Sequence, residues 1–226
     1  MKIRMIISVL VAAFALAAAP VGSGQAQEST PVTARRLAAE VQAFYDQTST
    51  VRTAFSQSHY DRIYRRTTRS RGVLTIARPG KLRFDYLGGD GKVVVSDGSM
   101  LTIYEPGDDG DPGQYARTAV REDLSSALGF LTGQARLDRD FRFRLRDASD
   151  FGWSGHVLEL RPLREEPGYD RMFLFVDASQ AGVVRRVIVQ DHAGNLNRFD
   201  FQRTEFNPAV PAARFAFTPP RGARRI

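Results

Sequence analysis

The feature that most constrains this chain is a series of short period-two alternations, each closed by a compact turn cluster. Leu74 and Ile76, then Leu82, Phe84 and Tyr86, then Val93 and Val95, then Leu101 and Ile103 place apolar side chains at every second position, the pattern of strands with one buried face. Between the runs stand Arg78-Pro79-Gly80-Lys81, Gly88-Gly89-Asp90-Gly91 and Ser96-Asp97-Gly98, turn chemistry that closes hairpins. No crossover helix fits between them, so the runs predict an antiparallel meander. A second meander is expected where Phe141, Phe143 and Leu145 alternate with Arg142, Arg144 and Arg146, followed by runs over residues 156–161, 172–176, 183–190 and 196–206.

Two helices interrupt the strands. Thr33 can cap the first, in which Leu37, Val41 and Phe44 recur at helical spacing with Ala34 and Ala38 alongside. The second is signalled by Glu122 and Asp123 at its start, Leu124, Ala127, Leu128 and Leu131 along one face, and Gly133 after its end. The order helix, meander, helix, meander predicts a mainly β fold, one large curved antiparallel sheet with too few helices to cover both faces. Either its concave side encloses an apolar space of the kind that takes ligands, or the helices fill that space.

The N-terminus has the layout of a secretory signal peptide. Lys2 and Arg4 precede an apolar run over residues 5–19, and Gly24 and Ala26 supply small residues for cleavage after Ala26. The run is roughly 15 residues, shorter than the roughly 20 that span a bilayer. Residues 1–26 are therefore expected to be a signal peptide that directs export, and residues 27–226 a single domain. The chain has no cysteine, which excludes disulfides, thiolate metal sites and a lipidated N-terminal cysteine. Its net charge of +7 becomes +5 once Lys2 and Arg4 are removed, with Arg221, Arg224 and Arg225 near the end. In an exported protein this balance favours anionic membrane surfaces or acidic protein sites over nucleic acid.

Catalytic chemistry finds little support. His59, His156 and His192 lack metal-ligand spacing, and Ser96-Asp97-Gly98-Ser99 reads as a hairpin turn rather than a nucleophile elbow. Asp108, Asp109 and Asp111 stand in a Pro/Gly-rich loop without the terminal glutamate of a calcium-binding hand. No cofactor, metal or enzymatic role is expected. Arg78 is the distinctive residue: it continues the period of Leu74 and Ile76 toward the apolar side. A guanidinium there needs acceptors, for which helix C-terminal carbonyls are candidates, unless it bends out to solvent at the strand end.

Four segments resemble the LolA family of lipoprotein carriers. Residues 72–86, a strand leading into Arg78-Pro79 and then an aromatic-rich strand, are similar to one family segment; residues 95–104, with Ser96-Asp97-Gly98 and a strand closing on Tyr104, are similar to the next hairpin. Ala54-Phe55-Ser56-Gln57 resembles the family's first strand, and residues 215–222 its ending. The resemblance implies an unclosed β-barrel lidded by helices, a periplasmic chaperone that takes acylated lipoproteins from the inner-membrane transporter LolCDE and delivers them to the outer-membrane receptor LolB or its equivalent; a monomer is expected. It implies that Arg78 latches the lid through hydrogen bonds to lid-helix backbone. It further implies that Leu124, Leu128 and Leu131 belong to the lid helix, and that the acyl-chain cavity is lined by Leu74, Ile76, Leu82, Phe84, Tyr86, Val93, Val95, Leu101 and Ile103. The closest alternative on the same fold is a periplasmic sensor or regulator that binds lipid or lipoprotein. Two departures stand out, an expanded loop over residues 105–113 and a short basic tail after Gly222 where some members have a further strand.

Overall fold

The structure, a computed structural model, describes residues 32–88, 91–120 and 126–226. The expected signal peptide lies outside these residues, as do Glu122, Asp123 and Leu124 of the second helix. Helix α1 (Ala34–Asp46) opens the fold, capped by the Thr33 hydroxyl, which accepts the Arg36 N–H at 3.2 Å. Leu37, Ala38, Val41 and Tyr45 form its buried stripe. Six strands follow: β1 (Thr50–Asp61), β2 (Arg66–Ala77), β3 (Lys81–Tyr86), β4 (Val93–Asp97), β5 (Met100–Glu105) and β6 (Gln114–Ala119). Helices α2 (Ser126–Thr132) and α3 (Leu137–Asp140) then lead into β7 (Phe141–Arg146), β8 (His156–Pro162), β9 (Arg171–Val176), β10 (Val184–Gln190) and β11 (Leu196–Phe206).

Among the described residues all strands join one sheet in the order β12-β6-β5-β4-β3-β2-β1-β11-β10-β9-β8-β7, where β12 is Arg224–Arg225. The two predicted meanders meet where β1 pairs with β11. Every pairing is antiparallel except that of β12, whose Arg224 lies parallel to and opposite Gln114 of β6. The short tail therefore still adds a strand. The end strands β12 and β7 are not neighbours in this order, so the sheet stays open rather than closing into a barrel.

One face wraps the helices. Leu37, Val41 and Tyr45 of α1 and Phe130 and Leu131 of α2 share a single buried core with Phe55, Leu74, Leu82 and Phe84 from the first meander and Leu158, Leu174 and Val187 from the second. The other face is covered only in patches. Phe151 and Trp153, from the turn after β7, pack on Phe173 and Phe175, and the Trp153 indole N–H donates to the Val176 carbonyl at 3.1 Å. On the same face the alternating arginines of β7 find a partner the sequence pattern does not show. Glu159 of β8 is 2% exposed, accepting from Arg144 and Arg146 at 2.8 Å each and from Arg161 at 3.3 Å. Burial pushes its carboxyl up, but these donors outweigh that and hold it at about 2.

Candidate functional site

Register decides which side chains meet under the helices. Facing residues of paired strands point to the same side, so Leu82 opposite Ile76, Phe84 opposite Leu74 and Tyr86 opposite Gly72 share the concave face. Across β1 the same face continues through Phe55, opposite both Gly72 and Phe201, and through Gln57, opposite Phe199. Phe199 lies opposite Val187, which lies opposite Leu174. Gly72 is needed because the Phe55 ring lies over it: a Cβ at this position would come 2.7 Å from that ring and overlap the Asp85 carbonyl. Phe55 then meets Phe84 and Tyr86 edge-on at 5.3 and 5.2 Å, with Phe199 at 6.0 Å.

This face encloses a cavity of about 260 Å³. Its apolar wall includes Phe84, Leu131, Val187, Val189, Phe199 and Phe201, and its polar rim carries His59, Asp191, Asn195 and Asn197. A second gap of only about 20 Å³ lies deeper, among Tyr45, Val51, Leu74, Ile76 and Val184. Leu131 of α2 and Phe201 of β11 line both spaces. Leu131 therefore forms, together with Phe201, the partition between the larger space and the packed floor under α1.

The predicted lining residues divide. Phe84 lines the larger cavity, Leu74 and Ile76 the deeper gap, and Leu82 is buried in the shared core. Tyr86 is half-buried and stacks on Phe84 at 6.3 Å. Leu101 and Ile103 share the concave face through their pairing with Ser96 and Val94, but stand two strands beyond Phe84 and line neither space. Val93 and Val95 are a correction. Val94 pairs with Phe84, so Val93 and Val95 lie on the convex face with Asp85 and Arg83, where Val95 borders the same space as Phe215 and Phe217 of the C-terminal segment. All three valines are apolar because this strand is covered on both sides, and composition alone cannot orient it. Val187, Val189, Phe199 and Phe201 were missed, although β11 carries a visible alternation of Asn197, Phe199 and Phe201 against Arg198 and Asp200.

Arg78 sits where the helices end. Its side chain is 13% exposed, with one guanidinium nitrogen 3.7 Å from Asp46 at the end of α1. Asp46 also accepts from Gln42 at 2.8 Å and from Arg136 at 3.5 Å. Burial lowers the Arg78 pKa from its ordinary value and Asp46 opposes that shift, so the residue stays a cation. The guanidinium packs on Gly133, which directly follows α2 with φ +77: a Cβ at Gly133 would lie 2.6 Å from Arg78 Nε. Beside it the Gly80 N–H donates to the Thr132 carbonyl, the last of α2, at 2.9 Å, and the Arg78 N–H donates to Ser49 at 2.8 Å. Among the described residues the charge partner of Arg78 is thus an α1 carboxylate rather than a lid carbonyl, and the backbone of the next turn makes the contact to α2. Tyr45 closes the other flank against Phe130 at 5.2 Å, and burial pushes its hydroxyl up to about 12. Leu131 of the predicted lid is 4% exposed and faces the cavity; Leu124 and the side chain of Leu128 lie outside the described residues.

An open antiparallel sheet curled around helices, with an apolar, polar-rimmed cavity on its concave face, defines a class of protein suited to holding an apolar ligand. The chain belongs to the LolA family: the model for "Outer membrane lipoprotein carrier protein LolA" matches residues 46–218. It is similar to the outer-membrane lipoprotein carrier protein of Dechloromonas aromatica, 31% identical over 80% of this chain and 82% of that one. To the protein of that description from Chromobacterium violaceum it is likewise 31% identical, over 92% of this chain and 93% of the relative. The fold is shared with an uncharacterized conserved protein of Thermus thermophilus, at 12% identity, a TM-score of 0.50 and coverage of 85% and 98%.

Proposed function

We propose that this protein is a periplasmic carrier that shields the acyl chains of lipoproteins between the inner and outer membranes. The observation that carries the reading is the partition made by Leu131. The open cavity of about 260 Å³ is below the roughly 300–1,000 Å³ of typical ligand pockets, and the gap beyond Leu131 is nearly filled. Withdrawing α2 joins the two into one channel running from the polar rim to the floor under α1. An acyl chain is worth about 0.8 kcal/mol per CH₂ buried, enough over its length to drive that displacement. Arg78 is the latch in this account. It ties the end of α1 to the end of α2 in the shut state, and cargo that lifts α2 must break the packing of Arg78 on Gly133.

The inner-membrane source would be a LolCDE-type transporter and the acceptor a LolB-type receptor, on the family's pattern. A photocrosslinking residue placed at Val189 should capture acylated cargo, whereas one at Val95 on the convex face should not. Capture at Val95 alone, or equally at both, would remove the concave cavity from the mechanism.

A further inference from the structure

The β1–β2 hairpin ends in a feature that cargo shielding does not use. Ile63 and Tyr64 at its tip are 76% and 79% exposed, far more than the other large apolar side chains apart from Ile226. Arg62 and Arg65 flank them, and Arg66, Arg69 and Arg71 follow along the start of β2, all exposed. Asp61 is the single carboxylate in this stretch, and it is occupied in holding the turn, accepting the Tyr64 N–H at 2.9 Å. Among the described residues none of the five arginines makes an ion pair; Arg62 reaches only the Ala193 carbonyl at 3.4 Å. Among the described residues most other arginines are ion-paired, which sets these five apart.

The tip is held out from the sheet. β2 pairs with β3 only from Gly72 onward, and on the other flank the Arg62 N–H donates to Asn195 Oδ1 at 2.9 Å, bracing the tip on the turn between β10 and β11. That turn also supplies Asp191 and Asn195 to the cavity rim, together with His59, which precedes the tip by a few residues of strand. Along β1, at about 3.3 Å per residue, the apolar tip stands roughly 10–15 Å beyond His59 of the rim, and it directly follows the Arg62–Asn195 contact. It lies at the polar-rimmed end of the cavity.

We infer that this hairpin tip docks the protein on an anionic bilayer, with Ile63 and Tyr64 inserted among the headgroups and the arginines on the phosphates, so that the cavity mouth faces the membrane. An aliphatic and a phenolic side chain beside cations are the two signals that reversible surface binding requires. A protein partner fits less well, because two side chains on a convex tip offer little of the roughly 1,000 Å² that a specific interface buries, while a lipid surface needs no matching shape. The inference concerns recruitment and does not depend on the identity of the cargo.

The test is flotation of protein purified from an exporting host with vesicles of phosphatidylcholine alone or mixed with phosphatidylglycerol, without lipoprotein. Wild type should float with the anionic vesicles, lose binding at high salt and bind neutral vesicles weakly. The variants Ile63→Ser/Tyr64→Ser and Arg66→Gln/Arg69→Gln/Arg71→Gln should each bind roughly tenfold less. They alter only exposed side chains, and an unchanged thermal midpoint would show that the fold is retained. The inference is overturned if wild type does not float, or if both variants float as it does. Absent flotation together with retention on an immobilised acidic polypeptide, lost in the arginine variant, would assign the tip to a protein partner instead.

Discussion

Arg78 combines a buried position with a fixed charge, and the proposed latch makes its value to the protein depend on state. In the shut form it packs on Gly133 and faces Asp46; with α2 displaced the Gly133 contact is gone. Asp46 belongs to α1, so only the packing on Gly133 depends on α2, a contact worth about 1–2 kcal/mol for a partly buried side chain. Arg78→Leu should therefore destabilise the shut form and tighten binding of a fluorescent acyl probe by about tenfold, with slower release. Titration and stopped-flow displacement would read both, and unchanged affinity and off-rate would exclude the latch. Gly72 makes a different claim, about packing alone. Because a Cβ would strike the Phe55 ring and the Asp85 backbone, Gly72→Ala should lower stability by about 1–3 kcal/mol, measurable by urea unfolding. A neutral result would mean that the aromatic cluster tolerates a shift of β1. Arg78 could be singled out from sequence because period two points it inward. Its carboxylate partner could not, since Asp46 lies at the end of a helix over thirty positions earlier and only the packing of α1 on the sheet brings them together.

At the scale of elements, β7 and β8 form a charged outer layer over an apolar inner one. Glu159 organises it: its carboxyl titrates at about 2 in the folded chain against an ordinary value of 4.5. A depressed carboxylate pKa stabilises the fold above the unfolded value and loses that contribution as pH falls through the folded one. Glu159→Gln should thus cost about 2 kcal/mol at pH 7, a figure reduced for the solvent around Arg144 and Arg161. The difference from wild type should shrink between about pH 5 and pH 2. Urea unfolding across that range is the check, and a pH-independent difference would place the effect in packing. The strands themselves were largely readable, because hairpin turns at residues 78–81 and 96–98 break clean alternations. β4 was not: with Val93, Val94 and Val95 apolar in succession, its facing is set by pairing with β3 and by the Phe215 segment on the convex side. The Arg/Phe alternation of β7 gave the strand but not the buried carboxylate that its arginines surround.

At the scale of the whole molecule, the proposed carrier works through an open sheet and a movable α2 that shield acyl chains in transit. Four of the six apolar wall residues come from β10 and β11, far in sequence from the 72–86 and 95–104 segments of the family resemblance. The two halves of this wall join only because β11 pairs with β1, a long-range contact that periodicity cannot reveal. The most direct test is to incubate the protein with inner-membrane vesicles containing a labelled lipoprotein, its transporter and ATP, and to measure how much lipoprotein becomes soluble in a stoichiometric complex. The account predicts release that requires both this protein and ATP. Absence of release, alongside tight binding of free acyl probes, would contradict the carrier role and favour a lipid-binding sensor on the same fold.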